Sequence, residues 1–345
     1  MKESFSRLFV TLLLFVLSVE AISVESALYS AFKESFKKPY FSVGALLQVV
    51  ADYQGVRTFS GNNGYSIANA RLKLSGDLDS GLSYLFQANF ASSPSILDAR
   101  LSYSLFSSVT LSVGQFKVPF GAEFLTSAAN IDFVNRFQGI SLLGPGRQIG
   151  VQLWSRFVDN RIHLLMGMFN GNAGSANNND NMDFLYAGRI EGVLPLRGGL
   201  DSKDKLKVGT SFALSKDTMI PAAGNLFSSF TGDRILFGAD MRMRIFSFQL
   251  GSEFICARLS PISATTKTPC GLHGTLGYFV SDKVEVLGRW DSLWTDNLAP
   301  NSHLIVLGMN WWPSEPTELQ VNYVIPTKDA SLKFHRILVN IQLAL

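Results

Sequence analysis

From Tyr40 to the last residue, apolar and polar positions alternate with a period of two, and turn signals interrupt the pattern at intervals of about ten residues. Over 66–77, Arg71, Lys73 and Ser75 share one phase and Leu72 and Leu74 the other. Over 234–245, Asp240, Arg242 and Arg244 oppose Ala239, Met241, Met243 and Ile245. Over 283–293, Glu285, Arg289 and Asp291 oppose Val284, Val286 and Trp290. Successive strand side chains point to opposite faces, so each segment has one greasy and one polar face. The pattern predicts sixteen strands, over 41–53, 66–77, 82–91, 96–106, 109–117, 147–157, 161–170, 184–194, 205–215, 234–245, 247–257, 272–281, 283–293, 303–312, 317–326 and 333–344. One such strand would suit a soluble sandwich equally well. An even number in succession, each with its apolar face intact over about ten residues, points to an antiparallel barrel with lipid outside and water inside.

The links between strands sort by length in the same sense. After even strands they are short, as at Ser107-Ser108, Val158–Asn160, Ser281-Asp282 and Pro313–Pro316, with one longer link over 195–204. After odd strands they include 54–65, 171–183, 216–233 and the longest, 118–146. Outer-membrane barrels have this asymmetry, with tight periplasmic turns and longer external loops, whereas a sandwich has no reason for it.

The N-terminus departs from the alternation. Leu8 to Val19 is an apolar run of twelve residues, preceded by Lys2 and Arg7 and followed by Glu20-Ala21, which reads as a signal peptide over 1–21. A short periplasmic segment follows over 22–39, where Leu28, Phe32 and Phe36 recur at helical spacing before Pro39. The barrel then occupies 40–345.

Composition narrows the class further. The chain has 345 residues, 47% hydrophobic and 17% charged, and its mean hydropathy is +0.18. A spanning helix needs roughly 20 apolar residues, which excludes a polytopic helical membrane protein. Thirty basic against 27 acidic residues leave +3, without the clustered basic stripe of a nucleic-acid binder. Cys256 and Cys270 are the two cysteines, so at most one disulfide can form, and it would hold down the sixth external loop. His163, His273, His303 and His335 are scattered, with no HExxH, Walker or G-x-S-x-G context, so no enzyme, metal or cofactor is expected.

Charge placement bears on function. On the polar phase fourteen basic residues face eight acids, giving the lumen a surplus of about six positive charges that would draw anions inward. On the apolar phase, charge occurs only near strand ends, at Lys117, Arg147, Arg258 and Lys333, all at the external rim, where they could meet lipopolysaccharide phosphates. Trp294, Trp311, Trp312, Tyr278 and Tyr323 suit aromatic girdles. The link 118–146 is too long for a hairpin and too apolar to float free, with Phe120, Phe124, Ile131, Phe133, Phe137 and Ile140 in need of a surface. The inner wall of a sixteen-stranded barrel offers one, and a loop folded there would set the bore; an external cap or subunit contact is the other option.

The run Val113-Gly-Gln-Phe-Lys-Val-Pro-Phe-Gly-Ala-Glu123, followed by Gly144-Pro-Gly-Arg-Gln-Ile-Gly-Val-Gln-Leu153 and Phe169-Asn-Gly-Asn172, resembles the phosphate-selective porin O and P family. Ala70-Arg-Leu-Lys-Leu-Ser-Gly76 fits as well, and the resemblance extends over essentially the whole mature chain. It implies an outer-membrane, Gram-negative-type, sixteen-stranded barrel, usually a homotrimer, that passes anions through a pore narrowed by the third loop. Two departures stand out. The family concentrates lysines and arginines at the constriction, whereas this loop offers only Arg136, flanked by Lys117 and Arg147. The chain also ends on Leu345 rather than the aromatic residue usual for recognition by the barrel-assembly machinery.

The expectation is therefore an all-β, sixteen-stranded antiparallel transmembrane barrel with its long third loop folded into the pore. It would be a passive porin preferring small anions, with phosphate as one candidate, and with Arg136 facing Arg71, Lys73 and Arg100, and Arg242 and Arg244 opposite. A weakly selective diffusion porin, with cross-strand pairs such as Arg289 and Asp291 cancelling, is an alternative, as is a closed structural or adhesin-type barrel.

Overall fold

A computed structural model describes residues 34–56, 63–171, 178–179, 181–200, 202–222, 227–328 and 331–345. The signal peptide expected over 1–21 lies outside them, as does most of 22–39 and of the Asn-rich run 171–181. Sixteen long strands follow in order: β1 (Phe41–Gln54), β2 (Gly64–Asp77), β3 (Leu82–Asn89), β4 (Ser95–Phe106), β5 (Val109–Lys117), β6 (Arg147–Phe157), β7 (Ile162–Phe169) and β8 (Leu185–Pro195). The second half consists of β9 (Lys205–Ala222), β10 (Phe227–Ile245), β11 (Phe248–Pro261), β12 (Cys270–Ser281), β13 (Val284–Trp294), β14 (Ser302–Trp311), β15 (Thr317–Pro326) and β16 (Arg336–Ala344). Each pairs antiparallel with the next, and β16 returns to β1 from Arg336↔Gln54 to Ala344↔Leu46, so the sheet closes on itself and leaves no long edge. Leu345 extends this seam by exchanging backbone hydrogen bonds with Ala45. No helix among the described residues is long and apolar enough to cross a membrane.

Burial inverts the pattern of a soluble core. On β13, Val286 and Trp290 are 39% and 46% exposed, while Glu285, Arg289 and Asp291 are 2–4% exposed. On β10, Ile235, Phe237 and Met241 face outward, and Arg234 and Asp240 are buried. An apolar band around a closed sheet needs lipid, and a polar interior needs water or polar partners.

Differences from the expected elements have local causes. β9 and β10 run well past 215 and before 234, so the expected loop 216–233 is mostly a projecting hairpin. Lys216-Asp217 breaks the apolar alternation there, but a strand beyond the hydrocarbon layer needs no greasy face. The ladder steps out of register between Asp217 and Ile220, where Met219 adopts φ +53°. At the N-terminus only residues 34–36 are helical among those described; Lys37–Lys38 instead pair with Phe41 and Ser42 across a turn at Pro39-Tyr40. Lys333 lies in a short 3-10 turn, Leu332–Phe334, ahead of β16 rather than on it.

Candidate functional site

Between β5 and β6 the segment 118–146 forms α1 (Ala122–Leu125), a 3-10 turn at Ala128–Asn130 and α2 (Gln138–Leu143). Its apolar residues are consumed by packing. Phe120, Phe137, Ile140 and Leu143 join a cluster with Phe116, Phe169, Leu185 and Ile255, while Phe133 packs with Leu287 and Val306. These strand partners belong to the buried phase. α2 presses so closely on β12 that a Cβ on Gly271 would come within 2.5 Å of the Gly139 Cα, which requires glycine on both sides.

Polar contacts hold the rest. The backbone of the segment cannot pair as a strand, and buried N–H and C=O groups demand partners. Strand side chains supply them: Asn322 Oδ1 accepts from Val134 N (2.8 Å), Gln320 Nε2 donates to Ile131 O (2.9 Å), Asn310 Nδ2 to Asp132 O (2.9 Å) and Gln342 Nε2 to Ala129 O (3.1 Å). On the other flank Gln48 Nε2 donates to Ala128 O (3.2 Å). Glu123 is a hub: its carboxylate accepts from Arg289 Nη2 (2.7 Å) and Phe137 N (2.8 Å), and its own N–H donates to Glu253 Oε2 (2.8 Å). Asp291 receives Gln138 N at 3.1 Å. The anchoring amides and Glu123 went unassigned from sequence. Their signal was present, since the amides share the phase of the charged residues, but alternation alone gives an Asn or Gln no partner.

Beside the segment is a cavity of about 320 Å³. Arg71 from β2, Lys117 from β5, Arg136 from the segment and Arg147 from β6 line it, with amides including Gln48 and Asn340. Arg147 pairs with Asp98 (3.2 Å). Lys117 Nζ donates to the carbonyls of Phe124 (2.5 Å), Leu125 (3.3 Å) and Thr126 (2.9 Å) at the C-terminal end of α1. Arg136 Nη2 donates to Thr126 O (2.7 Å), and its Nη1 is buried without a partner. Burial lowers the Arg136 pKa from its ordinary value; Glu123 opposes this and Arg147 adds to it. Arg71 Nε donates to Asn69 Oδ1 (2.7 Å).

Several expected placements change. Lys117 and Arg147 were expected at the lipid rim by strand parity, yet both side chains turn inward. They sit at strand ends next to Gly146 (φ +74°) and the start of the segment, where carbonyls and Asp98 offer partners that lipid does not. Arg258 is exposed on the apolar phase of β11. Arg136 and Arg71 meet at the cavity, whereas Lys73, Arg100, Arg242 and Arg244 do not line it. Arg242 pairs with Asp132 (2.7 Å), Arg244 stacks on Phe279, and Arg100 lies over Phe116. Arg289 takes Glu123 rather than Asp291 as its ion-pair partner. Arg189 with Asp240, Arg234 with Asp217 and Arg336 with Asp52 are paired as well. The surplus of positive charge counted from strand phases is therefore reduced by acids on the segment and at strand ends, and of the cations expected on the polar strand phase Arg71 lines the cavity. Cys256 and Cys270 are disulfide-bonded across directly paired positions of β11 and β12.

Comparison with known proteins agrees with this architecture. Residues 43–201 match the family model described as phosphate-selective porin O and P. The fold is similar to the anion-selective porin from Comamonas acidovorans, with a TM-score of 0.66 and 13% identity, covering 88% of this chain and 99% of that one. It is also similar to OmpT, an outer membrane protein of Vibrio cholerae in trimer form (TM-score 0.64, 11% identity, 88% and 99% covered). OmpF of Salmonella typhi, in complex with daunomycin, gives a TM-score of 0.59 at 9% identity, with 88% and 97% covered. No curated relative matches the sequence.

Proposed function

We propose that this chain, an outer-membrane porin whose residues 43–201 match the phosphate-selective porin O and P family, is a passive water-filled channel that prefers anions, with segment 118–146 lying across its bore. The observation that carries the preference is the cavity: four basic side chains line it, and among the described residues the one carboxylate bonded to any of them is Asp98. A narrow low-dielectric passage focuses such a field, which raises the local concentration of anions and repels cations. Loop-to-strand bonds from Gln48 on β1 round to Asn310 on β14 support the position of the segment, since a cap outside the barrel would not reach these buried-phase side chains.

Transport by this route involves no chemistry; an ion must bind weakly enough to leave. The solutes are small anions. OmpT of Vibrio cholerae has been obtained in a trimer form, and a homotrimer is proposed for this chain too. Arg258 and Lys333 are proposed to lie at the external rim and meet lipopolysaccharide phosphates, and β16 is proposed as the strand that the barrel-assembly machinery takes up. The test is the reversal potential of the folded protein in a planar bilayer under a KCl gradient: chloride preference supports the proposal, and cation preference or absence of current ends it.

A further inference from the structure

The four basic side chains at the cavity differ in what they can offer a passing ion. Lys117 Nζ is occupied by three carbonyls, Arg147 Nε and Nη2 by Asp98, and Arg136 Nη2 by Thr126 O, while Arg136 Nη1 is enclosed by protein. Arg71 is different. Among the described residues its guanidinium makes one hydrogen bond, from Nε to Asn69 Oδ1 (2.7 Å), and neither of its Nη atoms is enclosed. Both Nη donors are therefore left for the cavity that Arg71 lines.

The placing of Asn69 follows from the strand. The ladder between β1 and β2 slips by one residue beside it: Gln48 pairs with Asn69, but Val49 pairs with Ile67, which leaves Ala68 as an extra residue against the cavity. A bulge of this kind re-aims the side chains next to it. Asn69 Nδ2 donates to Gln48 Oε1, and Gln48 Nε2 donates in turn to Gln342 Oε1 (2.6 Å) and to Ala128 O of the segment (3.2 Å). The direction of this chain is fixed at both ends, because a guanidinium only donates and a backbone carbonyl only accepts. An aspartate at position 69 could not donate to Gln48, and an apolar residue there would leave Arg71 Nε without its partner.

We infer that Arg71 is the cavity cation that touches a permeating anion, and that Asn69 is the positioning residue that sets its guanidinium, steadied through Gln48 by segment 118–146. Held at Nε, the planar group has its orientation set before an ion arrives, so less ordering is needed on binding. The inference rests on the anion-channel reading and applies to chloride and phosphate alike.

The experiment is a double-mutant cycle on the chloride-to-potassium permeability ratio, read from reversal potentials of the folded protein in planar bilayers under a KCl gradient. Arg71→Gln should lower the ratio by about tenfold or more, as for loss of a hydrogen bond from a charged group, and Asn69→Leu by about two- to tenfold. In the Arg71→Gln background, Asn69→Leu should change the ratio no further. An unchanged ratio in either single variant, or effects that add in the double variant, overturns the inference while leaving an anion channel in place. General loosening of the segment would lower the ratio in both backgrounds, so the cycle separates positioning from a merely structural role. If Asn69→Leu yields no pores, Asn69→Ala takes its place in the cycle, and loss of pores in both contradicts a role exerted through Arg71. Cation preference or absence of current in the wild-type protein removes the anion channel itself, so the two failures are distinct.

Discussion

Replacing Glu123 with Gln removes the charge at the centre of the network that holds segment 118–146. The Glu123 carboxylate lies 2.7 Å from Arg289 Nη2, and the two side chains are only 10% and 3% exposed, so solvent screens the pair little. Taking one partner from a buried pair leaves the other uncompensated, at a cost of about 3–5 kcal/mol. Sixteen paired strands do not depend on this contact, so the cost falls on docking of the segment, whose docked-to-undocked ratio should drop by two orders of magnitude or more. The other anchors, Asn322, Gln320 and Gln342 on β15 and β16 among them, hold the middle of the segment between α1 and α2, so loosening should centre on the two helices. Single-channel recording should show larger conductance and more open-channel noise than wild type, while the heat-modifiable folded band on SDS gels is retained. A Glu123→Gln channel with wild-type conductance and noise would refute the view that this ion pair fixes the bore.

Further outcomes follow from the same geometry. Gly271→Val, which places side-chain atoms where the Gly139 backbone lies, should displace α2 and raise conductance without loss of the folded band. Leu276→Lys, on the exposed apolar phase of β12, should destabilise the barrel by about 2–4 kcal/mol if it sits near the membrane midplane, read from denaturant unfolding in vesicles. Removing the Cys256–Cys270 bridge with a double alanine variant should lower the temperature at which the folded band is lost, since closing a loop of this separation contributes up to about 3 kcal/mol.

The barrel was legible in the sequence because one physical requirement, a greasy face outward on every strand, repeats along the chain. Element ends were less so where that requirement lapses: β9 and β10 continue past Lys216 because strands above the hydrocarbon need only hydrogen-bond one another. The apolar content of 118–146 announced that it must pack, and Arg136 was identified as its cation. The side-chain directions of Lys117 and Arg147 were not legible, because parity fixes where a Cβ points and not where a long side chain turns at a strand end. Glu123 and Asp132 escaped notice because their partners, Arg289 and Arg242, are more than a hundred residues away and were themselves counted as free lumen charge.

The central claim is that anion preference resides at the cavity beside the loop and not in the lumen at large. It is tested most directly by comparing reversal potentials under a KCl gradient for Arg136→Glu and Arg244→Glu, the same charge change at a cavity position and at one stacked on Phe279 away from it. The account predicts a large shift toward cations for Arg136→Glu and a small one for Arg244→Glu. Equal shifts, or a larger shift from Arg244→Glu, would contradict it.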